Sequence, residues 1–298
     1  MAVEPNAAFD SQLPDTDQNA CQEHFVAFLD LLGFRDKVEG ADGDAQQQML
    51  NLLRKLASLR QGDELRYEPP KIFIKPAITT FSDSVIISYQ LDKMRIESGF
   101  DEGKVANLIL FNFKLLLTRI TSAALSFGFL VRGGVAVGNL YHAENIVFGK
   151  AFLEAYSIES KIAIYPRVVI SKNLVSLEVW KNSFPNNVFK DTDGRYRFDN
   201  FSMLSNMELG PRADWTRQTG EWCLKAIETV QENIKEYEGK DLKVLAKWKW
   251  FEYYFREGLA CSGNAFDAKS HPKIKQFISE RRPSPEWLYP PQPMPTTD

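Results

Sequence analysis

Histidine and cysteine are scarce in this 298-residue chain, with three of each. His24, His142 and His271 have no second His or Cys at ligand spacing, which argues against a histidine-based zinc site. Cys21, Cys223 and Cys261 are scattered, which argues against a disulfide framework and fits a reducing cytoplasm. No Gly-x-Ser-x-Gly motif supports a serine hydrolase. A net charge of −3 leaves no global basic footprint for nucleic acid or an anionic membrane. No stretch reaches the roughly 18 uninterrupted apolar residues of a spanning helix. The N-terminus lacks a basic region followed by an apolar run, so no secretory signal is expected. The expectation is a cytoplasmic globular protein with no nucleic-acid or membrane partner. Its length allows one large domain, or a medium domain with an extension.

The pattern along the chain predicts α+β architecture. Residues 1–22 are polar and aperiodic and read as a disordered arm. A strand is expected at 24–32, turned by Gly33-Phe34 into a helix whose apolar positions run from Met49 to Leu59. A polar connector at 67–75 leads to a hairpin at 77–89 with its tip near Ser82-Asp83-Ser84. A long helix at 104–127 ends at Gly128. A strand at 129–137 carries Gly133-Gly134, and Gly138-Asn139 reads as a turn. A helix at 150–162 and a strand at 167–171 follow. This order predicts a ferredoxin-like sandwich over 23–172, a central antiparallel sheet with helices on one face. Residues 173–282 read as a short helix, a hairpin turning at Asp193-Gly194 and two long helices that pack on the first domain, and 283–298 as a Pro-rich tail.

Two runs carry the chemistry: Phe28-Leu29-Asp30-Leu31-Leu32-Gly33-Phe34 and Phe81-Ser82-Asp83-Ser84-Val85-Ile86-Ile87-Ser88. Each sets one carboxylate in an apolar, strand-like run, which is costly without a cation. Two of them point to a shared divalent metal. Strand alternation puts Val26, Phe28 and Asp30 on one face. Gly33 and Phe34 open the next helix, whose free N–H groups can hold an anion. Asp83 at the hairpin tip can close on the same spot, making a site for a metal–triphosphate complex. Blander readings stand beside these. Asp30 can be a helix cap and Asp83 a turn residue. Phe28 is either core or base-pocket lining, and Arg132 either binds phosphate or base, or pairs with Glu154 or Glu159.

With Arg132-Gly133-Gly134-Val135-Ala136-Val137-Gly138, Phe148-Gly149-Lys150-Ala151, Ala155-Tyr156-Ser157-Ile158-Glu159 and Tyr165-Pro166-Arg167-Val168-Val169-Ile170-Ser171, these runs resemble the class III nucleotidyl cyclases. The pattern is closest to the bacterial Pycsar pyrimidine cyclases and spans about 25–171, with a less specific likeness in the C-terminal helices. The resemblance implies conversion of UTP or CTP to the 3′,5′-cyclic monophosphate and pyrophosphate, with two Mn²⁺ or Mg²⁺ ions. It implies a homodimer with sites at the subunit interface, and a cyclic product acting on a separate anti-phage effector. The metal aspartates fall on Asp30 and Asp83, a metal-binding carbonyl on Leu31 and the phosphate-binding turn on Gly33-Phe34. Phe28 and Ser82 join the nucleotide-binding set, and Arg132 the catalytic set.

The chain departs from the purine cyclases of that class. The Asn and Arg of their later helix fall here on Leu153 and Ser157, and the base-selecting lysine falls in Ala77-Ile78-Thr79-Thr80. This favours a pyrimidine, with UTP preferred by family prevalence. Arg132, Lys161 and Arg167 remain as substitute cations. The alternatives are a cytidylate cyclase making cyclic CMP from CTP, a purine cyclase, and a degenerate cyclase domain acting as a nucleotide-binding sensor.

Overall fold

The computed structural model describes residues 21–62, 65–67, 72–143, 146–183, 188–191, 193–201, 212–261 and 271–280. The tail expected at 283–298, and the arm apart from Cys21 and Gln22, lie outside these residues; Gln22 already opens the first strand.

The first half runs β1 (Gln22–Leu32), α1 (Phe34–Glu39), α2 (Gly43–Gly62), β2 (Leu65–Tyr67), β3 (Ile72–Ile74), β4 (Ala77–Phe81) and β5 (Ser84–Gln90). The connector expected at 67–75 is thus partly a small separate hairpin, β2–β3. Then come α3 (Leu91–Ser98), α4 (Glu102–Ser126), β6 (Leu130–Ala143), β7 (Ile146–Phe148), α5 (Lys150–Lys161) and β8 (Val168–Ile170). The remainder is α6 (Lys172–Ser176), α7 (Glu178–Lys181), β9 (Val188–Lys190), β10 (Tyr196–Phe198), α8 (Arg212–Tyr237), α9 (Leu242–Cys261) and α10 (Pro272–Ser279).

The architecture is α+β with a central, mostly antiparallel sheet. Its strand order is β4-β5-β1-β6-β8-β10-β9, with β7 paired to the end of β6. Among the described strands only the β6–β8 pairing is parallel, and α5 lies in the crossover between those two strands, as a parallel connection requires. The hairpin expected at 188–198 turns at Gly194, which has φ 76, and continues this sheet through Arg197 opposite Val169.

Strand alternation sets two faces. Phe25, Ala27, Leu29 and Leu31 pack with α2 and α4 in the larger core. Val26 and Phe28 pack with Ile86, Ala136, Ala151 and Ala155 beneath α5. The expectation of helices on one face is therefore corrected: they cover both. Gly134 makes the second layer possible, because a Cβ there would collide with the Ala155 carbonyl and the Ile158 side chain. A second correction concerns Gly138-Asn139, which does not turn. The pairing with β1 continues through Asn139 and Leu140 and holds β6 extended.

α4 begins at Asp101, whose side chain accepts from the Lys104 N–H at 2.9 Å, a standard cap. It is long and apolar enough to span a membrane, but most of it is buried as the core helix. The aromatic run in α9 forms a second core. Trp248, Trp250, Phe251, Tyr254 and Phe255 are buried with Leu125, Leu130, Tyr165 and Phe201. Those rings pack against one another and against the end of the sheet. The sequence reading missed α10, although Pro272 at its start and buried Ile274 and Phe277 carry the signal.

Candidate active site

Asp30 sits near the end of β1, in register with Ser84 of β5 on one side and Arg132 of β6 on the other. The hairpin β4–β5 turns through Ser82-Asp83, between the paired residues Phe81 and Ser84. Such two-residue turns need positive φ at their first central position. Ser82 supplies it at φ 52, the single non-glycine case among the described residues, at a cost of about 1–2 kcal/mol. The Leu31 N–H donates to the Asp83 carbonyl at 3.0 Å, fastening the tip beside the end of β1. The two sequence-predicted acids are thus brought together, and the charge on Asp83 acts on Asp30.

Arg132 lies between two acids. Its Nε donates to Asp30 Oδ2 at 3.2 Å and lies 2.5 Å from Glu159 Oε1. Of the partners expected for its ion-paired role, Glu159 is the one it meets. Glu159 projects from α5 and is buried, at 3% exposure. Burial pushes its carboxyl up to about 7; Arg132 opposes the shift, while Asp30 and Asp83 add to it. Asp30 is also raised, first by burial and then by Asp83, against the pull of Arg132. Arg132 is therefore directly paired with two carboxylates, and Asp83 adds a third acid nearby.

The other predicted residues are placed as follows. Gly33 adopts φ 81 and opens α1, a helix of 6 residues. The Phe34 ring is buried against Phe129, so only its backbone faces the turn. Phe28 is buried at 7% exposure, edge-on to Phe152 and Tyr156 of α5 at 5.9 and 5.3 Å. Arg167, held out as a substitute cation, is corrected: it is buried and locked to Asp191 and Asp193, each at 2.5 Å. Lys161 is exposed at the C-terminal end of α5.

Two further charged groups join the cluster. Glu159 enters as one of the two ion-pair partners expected for Arg132, and its position on a buried helix face is its local signal. Lys247 of α9 is half-buried, and its ammonium interacts electrostatically with Arg132 and Asp30. No local pattern marks it, because it comes from a distant helix.

The donor set suits a hard divalent cation. Asp30, Asp83 and the Leu31 carbonyl are oxygen ligands of the kind that Mn²⁺ and Mg²⁺ prefer. The excess of acids over paired cations, and the upward push on Asp30, are what a bound cation would relieve. Among the described residues no three His, Cys, Asp or Glu side chains converge on one point. Further ligands would have to come from backbone, water or substrate.

No protein-family model matches the chain, and comparison with curated proteins gives no significant match.

Proposed function

We propose that this protein is a pyrimidine nucleotide cyclase that converts UTP to 3′,5′-cyclic UMP and pyrophosphate. One observation carries the reading: two sequence-distant aspartates meet where the end of β1 abuts the β4–β5 tip, with acids in excess of paired cations. In the reaction, the 3′-oxygen of the ribose forms a bond to the α-phosphorus and the bridging bond to the β-phosphate breaks. Pyrophosphate leaves, and the hydroxyl proton passes to solvent.

Asp30, Asp83 and the Leu31 carbonyl would hold the metal ions. Bound Mn²⁺ or Mg²⁺ would supply Lewis-acid activation of the hydroxyl and neutralise the departing charge. Arg132 orients Asp30 through its 3.2 Å contact, and Glu159 fixes Arg132 from behind. The backbone at Gly33-Phe34 faces the phosphates, and Ser82 sets the angle of the tip that carries Asp83. Phe28, Phe152 and Tyr156 offer an aromatic wall beside Asp30 for the base. Leu153 and Tyr156 on α5 and Ile146 and Phe148 on β7 are exposed apolar side chains. They fit coverage by a second copy, hence a homodimer with sites near the interface. The cyclic product would act as a diffusible anti-phage messenger on a separate effector.

The test is incubation of purified protein with Mn²⁺ and each of the four nucleoside triphosphates, with products identified by mass spectrometry. Cyclic UMP with stoichiometric pyrophosphate is the expected result. Cyclic CMP would change the base and keep the chemistry. Absence of product with all four, with nucleotide binding retained, would replace the enzyme by a nucleotide sensor.

A further inference from the structure

One C-terminal helix, α9, carries a charge into the field of Asp30 and Arg132. Leu32 and Leu130 are opposite each other on β1 and β6, two positions beyond Asp30 and Arg132. Leu130, with Leu32 at the margin, belongs to the cluster that buries Trp248, Trp250 and Phe251 of α9. α9 therefore lies against the strand ends next to the site. Lys247 precedes Trp248 and stands four residues before Phe251, so the helical repeat sets it on the flank of that buried stripe.

Half-burying a lysine disfavours its charged form unless opposite charge compensates it. Among the described residues, Lys247 makes no ion pair within 4 Å. Its ammonium sits in the field of Arg132, Asp241, Asp30 and Asp36, and burial is the main influence holding its pKa below the usual lysine range. Arg132, by contrast, is already divided between Asp30 and Glu159. A polyphosphate brought beside three carboxylates needs a cation that is not committed to them, and such a group acts most strongly where water is excluded.

We propose that Lys247 is the cation that contacts the triphosphate of the bound nucleotide, so that α9 forms part of the active site. This rests on the nucleotide reading of the Asp30–Asp83 site. It goes further in assigning the phosphate-binding charge to the C-terminal extension.

The experiment compares the wild type with Lys247→Met, Lys247→Gln and Lys247→Arg, and with Lys243→Met as a control on an exposed position of the same helix. Cyclic nucleotide formation, binding of Mn²⁺–tripolyphosphate by calorimetry and thermal midpoints are measured for each. Expected results are a loss of about 100-fold or more in kcat/KM for Met and Gln, and recovery to within about tenfold for Arg, which keeps the charge. Tripolyphosphate binding weakens at least tenfold in Met and Gln, while their thermal midpoints match or exceed the wild type. Lys243→Met leaves all three readouts unchanged. Neutral variants that keep kcat/KM and tripolyphosphate affinity within threefold of wild type overturn the proposal. If the wild type turns over no nucleotide, the cyclase reading fails. The Lys247 assignment is then decided by tripolyphosphate binding alone, and wild-type binding no tighter than that of the neutral variants overturns it.

Discussion

Two of the clusters that set an arginine between two carboxylates, one at the candidate site and one beside β8, differ in charge balance. In the first, Arg132 faces Asp30 and Glu159, with Asp83 nearby. In the second, Arg167 holds Asp191 and Asp193, and Arg197 reaches Asp191 at 2.6 Å while lying over the Tyr254 ring at 4.4 Å. The second cluster matches two cations to two acids. Burial raises the Asp193 carboxyl, but the hydrogen bond and charge of Arg167 outweigh this and leave it below the usual range. Burial opposes the charge on Arg167, and its two aspartates more than restore it. In the first cluster the acids are in excess, and the carboxyls of Asp30 and Glu159 are pushed upward instead. A balanced cluster locks β8 to the β9–β10 hairpin. An unbalanced one holds a charge deficit that a ligand can fill.

The largest expected effect separates the two clusters by activity. Asp30→Asn should reduce cyclic nucleotide formation by at least about 100-fold. It should keep or raise the thermal midpoint, because it relieves repulsion among buried acids. Loss of folding in this variant would place Asp30 with the structural cluster. Arg167→Met should do the opposite. It leaves Asp191 and Asp193 without their cation and should cost about 3–5 kcal/mol in a urea titration. A cost below about 1 kcal/mol would mean that the second cluster is not a lock.

A smaller effect is read from pH. The folded Glu159 carboxyl titrates near 7, above its ordinary value of 4.5, so between these pH values the folded state binds more protons than the unfolded one. Its contribution is therefore fully present below about pH 4.5 and is lost as pH rises through about 7, on the order of 1–3 kcal/mol. Glu159→Gln should flatten that part of the stability profile, measured by denaturant titration across pH 5–8. An unchanged slope would show that Arg132 alone satisfies Glu159. The smallest effect concerns the tip. Ser82→Val should be about 1–2 kcal/mol less stable than Ser82→Gly, since a β-branched residue tolerates φ 52 poorly. Equal stability would mean that the turn relaxes to another conformation.

Much of this was legible in the sequence. Apolar periodicity located β1, α4, α5, α8 and α9, and the Ser-Asp-Ser run marked the hairpin tip between its strands. Asp30 stood out because a charged residue interrupts a strand that is otherwise apolar. The layer assignment was not legible. Alternation shows that Val26 and Phe28 share a face, but not that α5 covers it; that depends on Gly134 admitting the helix. The turn at Gly138-Asn139 failed for a similar reason. Its local chemistry favours a bend, and the long ladder with β1 overrides it.

The sequence alone determined most of the elements that form and singled out the two acids proposed to hold a metal, because period and polarity are local properties of a chain. Tertiary structure decided which charges surround those acids. Arg132, Glu159 and Lys247 come from a strand and two helices far apart in sequence, and the field they set up depends on distance and burial, which no spacing along the chain records.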